Sequence, residues 1–561
     1  MHKFCFVKNM RIKTLIIAAA AVSAVYAQEY KVPVSEADEQ MQKGSFEPTW
    51  ESLRQYETPE WFRDAKFGIW AHWGPQCVEG SGDWMARELY LEGTYKYKYH
   101  RDNYGHPSEV GFKDILPLFK AERWTPDELV AFYKDVVGAR YFFALGNHHD
   151  NFDLWDSKYQ EWNSQTIGPK KDILDGWVKA ASKAGLPFGI SFHADHAWTW
   201  YEPSRRFDLK GDMRGVKYDG WLTKDDGYKP NADGTEKWWK GLDPQNLYAQ
   251  NHDFSNNTWD NGVIHRQWGW ENGACIPSRA YVTNFYNRTL DAINRYNPDL
   301  IYFDVTVLPF YPVSDAGMKI AAHMYNHSEV LHKGKNQAVV FGKILTEEHK
   351  EALVWDVERG APNKIMERPW QCCNCIGGWH YDTGIYERGQ YKSAHTVAKL
   401  LVDIVSKNGN MLLSVPLRAD GTPDEKEMAI LKEFGAWMKV NGESIYGTRP
   451  WAKFGEGPIA DADIKINAQG FNDGNYVKAG SNEIRFTQTG RYLYVSALAW
   501  PDDSTVTIRS LAKGSHFFLG EIKQIELLGY GKVPFKRTPA ALVVTLPKPC
   551  NNIMPVLKIK K

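Results

Sequence analysis

The chain has 561 residues, with 68 basic and 68 acidic side chains. This balance excludes the strongly basic surface that binding to nucleic acid or to an anionic membrane would require. Hydrophobic residues make up 43% of the chain, which is enough for a large core. The 23 tryptophans and 29 tyrosines suit either core packing or contact with the apolar faces of sugar rings.

The first 27 residues have the pattern of a secretory signal. Four basic residues within the first 13 precede an apolar run at 15–25, and small residues lead to Ala27. The run is too short for an ordinary membrane-spanning helix, and no other long apolar run follows it. We therefore expect cleavage near Ala27, a mature chain that starts at Gln28, and export to the periplasm or the medium, without a membrane span.

Short apolar runs alternate with amphipathic patterns across residues 61–445, after an N-terminal extension at 28–60. The predicted strands are 67–73, 140–145, 187–193, 299–304, 337–342, 352–357 and 410–415. The predicted helices are 125–139, 170–185, 281–296, 393–407 and 424–442. Such alternation is typical of parallel strands joined by crossover helices, and the number of units favours a TIM-like (β/α)8 barrel.

The pattern changes in residues 446–561. Runs at 482–489, 491–500, 505–511, 522–529, 541–547 and 554–560 alternate apolar and polar residues with a period of two. Turn residues separate them. This predicts a C-terminal domain of antiparallel strands, arranged as a β-sandwich.

Polar side chains follow several of the predicted barrel strands. In a parallel barrel the carboxyl ends of the strands meet at one face, where the active site forms. One such residue alone is commonly a helix cap, but several together predict a site. They are His72 and Trp73; Asn147, His148 and His149; His193, Asp195 and His196; Asp304; Asp356 and Glu358.

Two sets of residues could in principle form a metal site. The run "QCCNC", with Cys372, Cys373 and Cys375, lacks the second pair that a structural zinc site needs. Histidine and aspartate at strand ends also suit a metal hydrolase, but no H-x-H occurs on the first strand. On an extended backbone His148 and His149 would point in opposite directions, which disfavours joint ligation. We therefore expect no metal.

Four separated segments resemble, in order and spacing, the α-L-fucosidases of glycoside hydrolase family 29. They read "WFRDAKFGIWAHWGP", "YFFALGNHHDNFDLWDSKYQEWNS", "NPDLIYFD" and "DIVSKNGNMLLSVPLRADGT". The resemblance covers most of 61–441 and implies a barrel followed by a β-domain. It implies a retaining exo-glycosidase that needs no cofactor and removes terminal α-L-fucose from glycans through a fucosyl-enzyme intermediate.

Retention requires two carboxyl groups about 5–5.5 Å apart, one a nucleophile and one an acid that then acts as a base. The resemblance implies that Asp304 is the nucleophile. It transfers the acid/base weakly, because that position varies within the family. Glu358, just after the sixth predicted strand, is our choice, and Glu271 and Glu367 are alternatives.

Further residues match the family's sugar-binding positions. The resemblance implies contacts from His72, Trp73, His148 and His149, with Trp155 in the same matching stretch. Two positions depart from the family pattern. Asp83, before Trp84, lies where many relatives carry glutamate, and His193 lies on a strand that is commonly rich in tyrosine. The shorter carboxylate of Asp83 bears on the leaving-group side, and the added His193 bears on hydroxyl recognition.

Two other functions stay open at this point. The chain could act on α-L-galactosides, which differ from α-L-fucosides by one hydroxyl at C6, and an apolar pocket rejects an added hydroxyl only about 100-fold. It could also be a glycan-binding protein without catalysis, because fold does not fix chemistry. A second carboxyl group near Asp304 would favour an enzyme over the binding protein.

Overall fold

The structure is a computed structural model that describes residues 30–256, 270, 273–462, 470–474 and 478–560. The predicted signal at 1–27 and the alternative acid Glu271 lie outside the described residues. Among the described helices, none is both long and apolar enough to cross a membrane.

Eight parallel strands close into a barrel, as predicted. They are β1 Phe67–Ala71, β2 Tyr141–Leu145, β3 Phe188–Phe192, β4 Leu300–Phe303, β5 Val339–Gly342, β6 Val354–Glu358, β7 Trp370–Cys375 and β8 Gly409–Ser414. The first predicted strand is two residues too long, since β1 ends before His72. The sixth includes Glu358 as its last residue, whereas the prediction placed Glu358 after the strand.

The barrel closes where β1 pairs with both β2 and β8. Phe67 lies opposite Met411, and Gly68 lies opposite Tyr141. A β-carbon at Gly68 would come within 2.3 Å of the Tyr141 ring, so only glycine fits at this position. The close approach lets the tyrosine fill the barrel interior.

Strand β7 was not predicted from the sequence. It contains the run of three cysteines, all buried, and neighbouring side chains of a strand point to opposite faces. The Cys373 thiol contacts Asp356 Oδ2 at 2.9 Å, and the Cys375 thiol contacts the Gly377 carbonyl at 3.2 Å. Each thiol therefore serves barrel packing. Among the described residues, the clusters close enough to share a metal ion include no cysteine.

Helices surround the barrel. The longer ones are α1 Tyr95–Asn103, α2 Pro126–Ala131 with its π-helical continuation Phe132–Val137, α3 Ile173–Ala184, α4 Arg279–Tyr296, α5 Ala316–Leu331, α6 Ala394–Ser406 and α7 Glu425–Asn441. Shorter ones are Trp50–Leu53, Glu60–Ala65, Met85–Glu88, Phe112–Ile115, Ala197–Trp200, Pro244–Tyr248, His349–Ala352 and Thr383–Arg388. Side-chain caps explain several boundaries. Asp172 accepts from the amide of Asp175 at the start of α3, and Gly185 ends that helix in the left-handed region.

Antiparallel strands follow the barrel. They are β9 Arg449–Glu456, β10 Ile484–Gln488, β11 Tyr492–Ala497, β12 Thr505–Ile508, β13 Ile525–Leu527, β14 Gly531–Lys532, β15 Phe535–Arg537, β16 Leu542–Thr545 and β17 Val556–Lys560. Six strands form one sheet in the order β14-β13-β17-β11-β10-β9, and three form another in the order β12-β16-β15. The two sheets share a separate hydrophobic core, which confirms the predicted architecture.

A buried ionic network joins the barrel to this C-terminal region. Arg485 on β10 donates to Asp403 Oδ1 on α6 at 2.6 Å, and Lys407 donates to Asp403 Oδ2 at 2.7 Å. Arg485 also donates to Glu483 at 3.0 Å. Burial alone would raise the pKa of Asp403, but Lys407 and Arg485 outweigh it and hold the pKa below 3.8. The charged form of Asp403 therefore belongs to the folded state.

Replacing this aspartate should destabilise the whole protein. Asp403→Ala leaves two buried cations without their shared partner, and we expect a loss of about 3–5 kcal/mol in the free energy of unfolding. Urea denaturation followed by tryptophan fluorescence measures this loss. Lys183→Ala, which removes an exposed ion pair with Asp127, is the control and should change the midpoint little. Equal effects of the two variants would contradict a structural role for the network.

Candidate active site

The carboxyl ends of seven barrel strands deliver polar side chains to one pocket. Each strand is short and rigid, so the residue that ends or follows it has a fixed position. The contributing residues are His72 after β1; His148 and His149 after β2; His193 after β3; Asp304 after β4; Lys343 after β5; Glu358 at the end of β6; and His380 after β7.

Asp304 receives three positively polarised neighbours. Its Oδ2 lies 3.2 Å from Nε2 of His149 and 3.5 Å from Nδ1 of His193. Its Oδ1 accepts a hydrogen bond from Nζ of Lys343. A second hydrogen bond, 2.7 Å between His149 Nδ1 and the His193 carbonyl, orients the His149 ring toward the carboxylate. The arrangement fixes both oxygens of Asp304.

The same lysine also contacts Glu358. Nζ of Lys343 lies 2.7 Å from Oε2 of Glu358, so one ammonium group touches both carboxylates. Two hydrogen bonds to a single nitrogen hold the two acceptor oxygens within about 6 Å of each other. This spacing is compatible with the shorter separation of carboxyl groups that is typical of retaining glycosidases.

Electrostatics keep Asp304 ionised. Burial alone would raise its pKa, but the Lys343 ammonium and the contacts from His149 and His193 outweigh burial and hold the pKa well below 3.8. Burial alone would also lower the pKa of Lys343, but Asp304 and Glu358 raise it well above 10.5. The carboxylate and the ammonium therefore stabilise each other's charge.

Histidines form one wall of the pocket. Burial, reinforced by neighbouring imidazoles, lowers the pKa of His72 and of His148 well below 6.5. Burial also lowers the pKa of His193 to about 4, against the opposing effect of Asp304. These rings are neutral at physiological pH, so each offers one hydrogen-bond donor and one acceptor. Such groups suit sugar hydroxyls.

Asp83 and Trp84 also reach this region. Asp83 Oδ1 lies 2.6 Å from Nδ1 of His380 and 3.8 Å from Nε2 of His148. Trp84 has a left-handed backbone with φ of 66°, and its ring centroid lies 6.1 Å from that of His149. A bulky residue in this conformation is uncommon, and such backbones concentrate at functional sites.

Two tryptophans predicted as sugar contacts are directed elsewhere. Trp73 packs against Phe119 and Trp124, with ring centroids 5.0 and 5.6 Å away, and its Nε1 donates to the Arg418 carbonyl. Trp155 is fully buried and donates to Asp291. Trp73 directly follows His72 in the sequence, and Trp155 belongs to the same matching stretch as His149, but both rings pack into the core. The expectation of a sugar contact is not supported for either.

The histidine pair also differs from the sequence-based argument. Strand β2 ends at Leu145, so His148 and His149 lie in the following loop and not on an extended strand. Their ring centroids are 4.6 Å apart. Together with His193 they offer ligand atoms within 4.8 Å of one another. Opposite orientation therefore does not exclude shared ligation.

The other candidate acids have different positions. Glu367 is exposed and precedes β7, which places it near the amino end of that strand, away from the pocket. Asp195, after β3, is buried, and burial raises its pKa well above 3.8. Asp356 is buried inside the barrel, where Gln371 donates to it at 2.9 Å.

Sequence reasoning missed Lys343 and His380. Lys343 directly follows the predicted strand 337–342, and this strand-end position is the signal in the sequence that identifies it. His380 follows β7, which was not predicted, and its position could not be assigned. Trp379 beside it contributes a ring 5.7 Å from His72.

Comparisons with known proteins agree with the geometry. Residues 34–443 match the family model of alpha-L-fucosidase, and residues 479–560 match that of the alpha-L-fucosidase C-terminal domain. Tissue alpha-L-fucosidase of Rattus norvegicus is 22% identical over 91% of this chain and 90% of its own length. Plasma alpha-L-fucosidase of Homo sapiens is 25% identical over 72% of this chain and 73% of its own length.

Solved structures share the fold. One alpha-L-fucosidase has a TM-score of 0.66 and 23% identity, covering 92% of this chain and all of its own. The alpha-fucosidase of Thermotoga maritima has a TM-score of 0.62 and 24% identity with the same coverage. The family model spans most of the chain, and the barrel brings the predicted carboxylates together. The chain belongs to the alpha-L-fucosidase family of glycoside hydrolases.

Proposed function

We propose that this protein is an exported, retaining exo-α-L-fucosidase that releases terminal fucose from oligosaccharides or glycoconjugates. The observation that carries the proposal is the single ammonium group of Lys343 in contact with both Asp304 and Glu358. It supports a short separation of the two carboxyl groups, which double displacement requires. It also favours an enzyme over a binding protein without catalysis.

In the first step, Asp304 attacks the anomeric carbon while Glu358 protonates the departing glycosidic oxygen. The structure supports this role for Asp304, because its pKa is held well below 3.8 and it lies at the end of a rigid strand. The bond to the leaving group breaks as the ester to Asp304 forms. The product is a fucosyl-enzyme intermediate and a free alcohol.

In the second step, Glu358 takes a proton from water, and the resulting nucleophile releases fucose from Asp304. A covalent intermediate has been trapped in an alpha-L-fucosidase of Bacteroides thetaiotaomicron that shares this fold, with a TM-score of 0.55 and 16% identity. His72, His148 and His149 are proposed to bind the sugar hydroxyls, with bonds that strengthen as the ring flattens. His193, Asp83 and Trp84 complete the same pocket.

Lys343 meets the charge requirement of both steps. Double displacement requires an ionised Asp304 and a protonated Glu358 before the first step. In the intermediate Asp304 is a neutral ester and Glu358 is ionised. One of the two carboxyl groups is thus negative at each stage, and Lys343 contacts both without having to move.

The function is tested by incubating the purified protein with aryl α-L-fucoside, aryl α-L-galactoside and fucosylated oligosaccharides. We expect fucose release, with the fucoside preferred over the galactoside. Asp304→Ala should lower kcat by about 10⁴-fold or more while fucose still binds. Turnover of the galactoside alone would transfer the activity to that sugar. Binding without any turnover by the unaltered protein would favour the non-catalytic alternative.

The role of Glu358 is tested with two leaving groups. Glu358→Gln should slow the release of a poor leaving group far more than that of an activated aryl group, because only the poor one needs protonation. The measurement is the ratio of the hydrolysis rates of the two fucosides, one with the poor and one with the activated leaving group, in each variant and in the unaltered protein. Asp195→Asn removes another buried acid near the site and is the comparison variant. A leaving-group effect in Asp195→Asn, but not in Glu358→Gln, would transfer the role to Asp195.

The role of Lys343 is tested by the pH profile. Asp304 must be ionised to react, and the positive charge of Lys343 lowers the pKa of Asp304. In Lys343→Met that pKa rises, so the acid limb of kcat/KM should shift upward by about 1–3 pH units. Lys343→Arg retains the charge and should leave the limb near its original place. An unshifted limb in Lys343→Met would contradict this account.

A further inference from the structure

Three histidines and one aspartate converge in the histidine wall of the pocket. His72, Asp83, His148 and His380 each offer one ligand atom, and the four atoms lie within 4.8 Å of one another. The three histidines are buried and come from loops after three different strands. Such a set brings together residues that are far apart in the sequence. The sequence alone does not show this cluster, because closure of the barrel brings its members together.

The ring planes of the three histidines are nearly perpendicular to one another. The interplanar angles are 70° for His72 and His148, 90° for His72 and His380, and 88° for His148 and His380. The ring centroids are 4.6 to 5.2 Å apart. The rings are therefore not stacked, and they lie close enough for one nitrogen of each to contact the same ion.

Several nitrogens of this group have no protein partner. Within the part of the chain that the structure describes, Nδ1 and Nε2 of His72 and Nε2 of His380 are buried and make no hydrogen bond. Buried polar atoms without partners are costly, and they are few in native proteins. A bound ligand that accepts electron pairs from these nitrogens would remove the cost.

Hydrogen bonds orient two of these histidine rings. Nδ1–H of His380 donates to Asp83 at 2.6 Å, which leaves a lone pair on Nε2. Nδ1 of His148 lies 2.6 Å from the side-chain nitrogen of Gln76, and this contact orients the His148 ring. Metal-binding histidines are usually fixed in this way, through a hydrogen bond from the second ring nitrogen.

We propose that this protein binds one divalent transition-metal ion of the Zn²⁺ type through His72, His148, His380 and Asp83. Imidazole nitrogens select Zn²⁺, Cu²⁺, Ni²⁺ or Co²⁺ over Mg²⁺ and Ca²⁺, which require mainly oxygen ligands. This proposal departs from the expectation from the sequence that no metal binds.

The ion and the sugar exclude each other. Four protein ligands complete a tetrahedral shell and leave no open position for a hydroxyl. Two of the ligands, His72 and His148, are also the proposed contacts of the fucose hydroxyls. The metal is therefore a reversible competitor of fucose. This second statement rests on the proposed function, whereas metal binding itself does not.

Binding is measured on the purified protein after treatment with EDTA and removal of the chelator. Titration with ZnCl₂ in a calorimeter should give one ion per chain. His380→Ala and Asp83→Asn should each weaken the affinity at least about 10-fold. His327→Ala, on α5 outside the pocket, is the matched control and should bind Zn²⁺ as tightly as the unaltered protein. Thermal unfolding shows whether each variant is folded.

Absence of Zn²⁺ binding would overturn the proposal, as would equal affinity in the unaltered protein and in both folded pocket variants. Replacement by Co²⁺ gives an independent readout, because a tetrahedral Co²⁺ site absorbs visible light strongly. We expect this absorption in the unaltered protein and its loss in His380→Ala. Absorption that survives His380→Ala would place the ion elsewhere.

Competition is measured by repeating the zinc titration with fucose present. We expect a weaker apparent affinity for Zn²⁺ as the fucose concentration rises. An unchanged affinity at saturating fucose would overturn mutual exclusion. All these readouts are independent of turnover. A protein that binds zinc but releases no fucose would disprove the proposed activity and leave the metal site intact.

Discussion

Closure of the eight-stranded parallel sheet is the constraint on which the site depends. Pairing of β1 with β8 converts a row of strands into a ring, with Phe67 opposite Met411. All eight carboxyl ends then point to one face. As a result Asp304 and Glu358, which are 54 residues apart (358 − 304), contact the same lysine nitrogen. An open sheet would leave the first and last strands apart, and His72 would lie far from residues that follow β7.

The pocket separates charged chemistry from neutral recognition. On one side Lys343 balances two carboxyl groups, and this balance keeps Asp304 ionised although it is buried. On the other side, burial keeps His72 and His148 uncharged. Neutral rings can donate and accept hydrogen bonds with hydroxyls, and the same lone pairs make them ligands for a metal ion. The proposed recognition of sugar and the proposed binding of metal therefore draw on one physical property.

The C-terminal sheets support the barrel through a buried contact. Asp403 and Lys407 belong to α6 and its end, and Arg485 belongs to β10. Helix α6 leads into β8, the strand that closes the barrel. A network that fixes α6 against β10 thus acts on the same closure that forms the site. Through this interaction the C-terminal sheets contribute to the stability of the barrel.

The sequence by itself determined the alternation of strands and helices, the change to antiparallel strands near residue 446, and the positions of Asp304, His72, His148, His149 and His193. Local periodicity and strand-end residues carry that information. Strand β7 was not predicted, because its polar and cysteine-rich run lacks a periodic signal. For the same reason His380, which follows this strand, was not identified as a site residue. Only the tertiary structure decided that Trp73 and Trp155 face the core, that Lys343 bridges the carboxylates, and that three histidines meet at Asp83. These features depend on distances between strands that are remote in sequence, and barrel closure alone sets those distances.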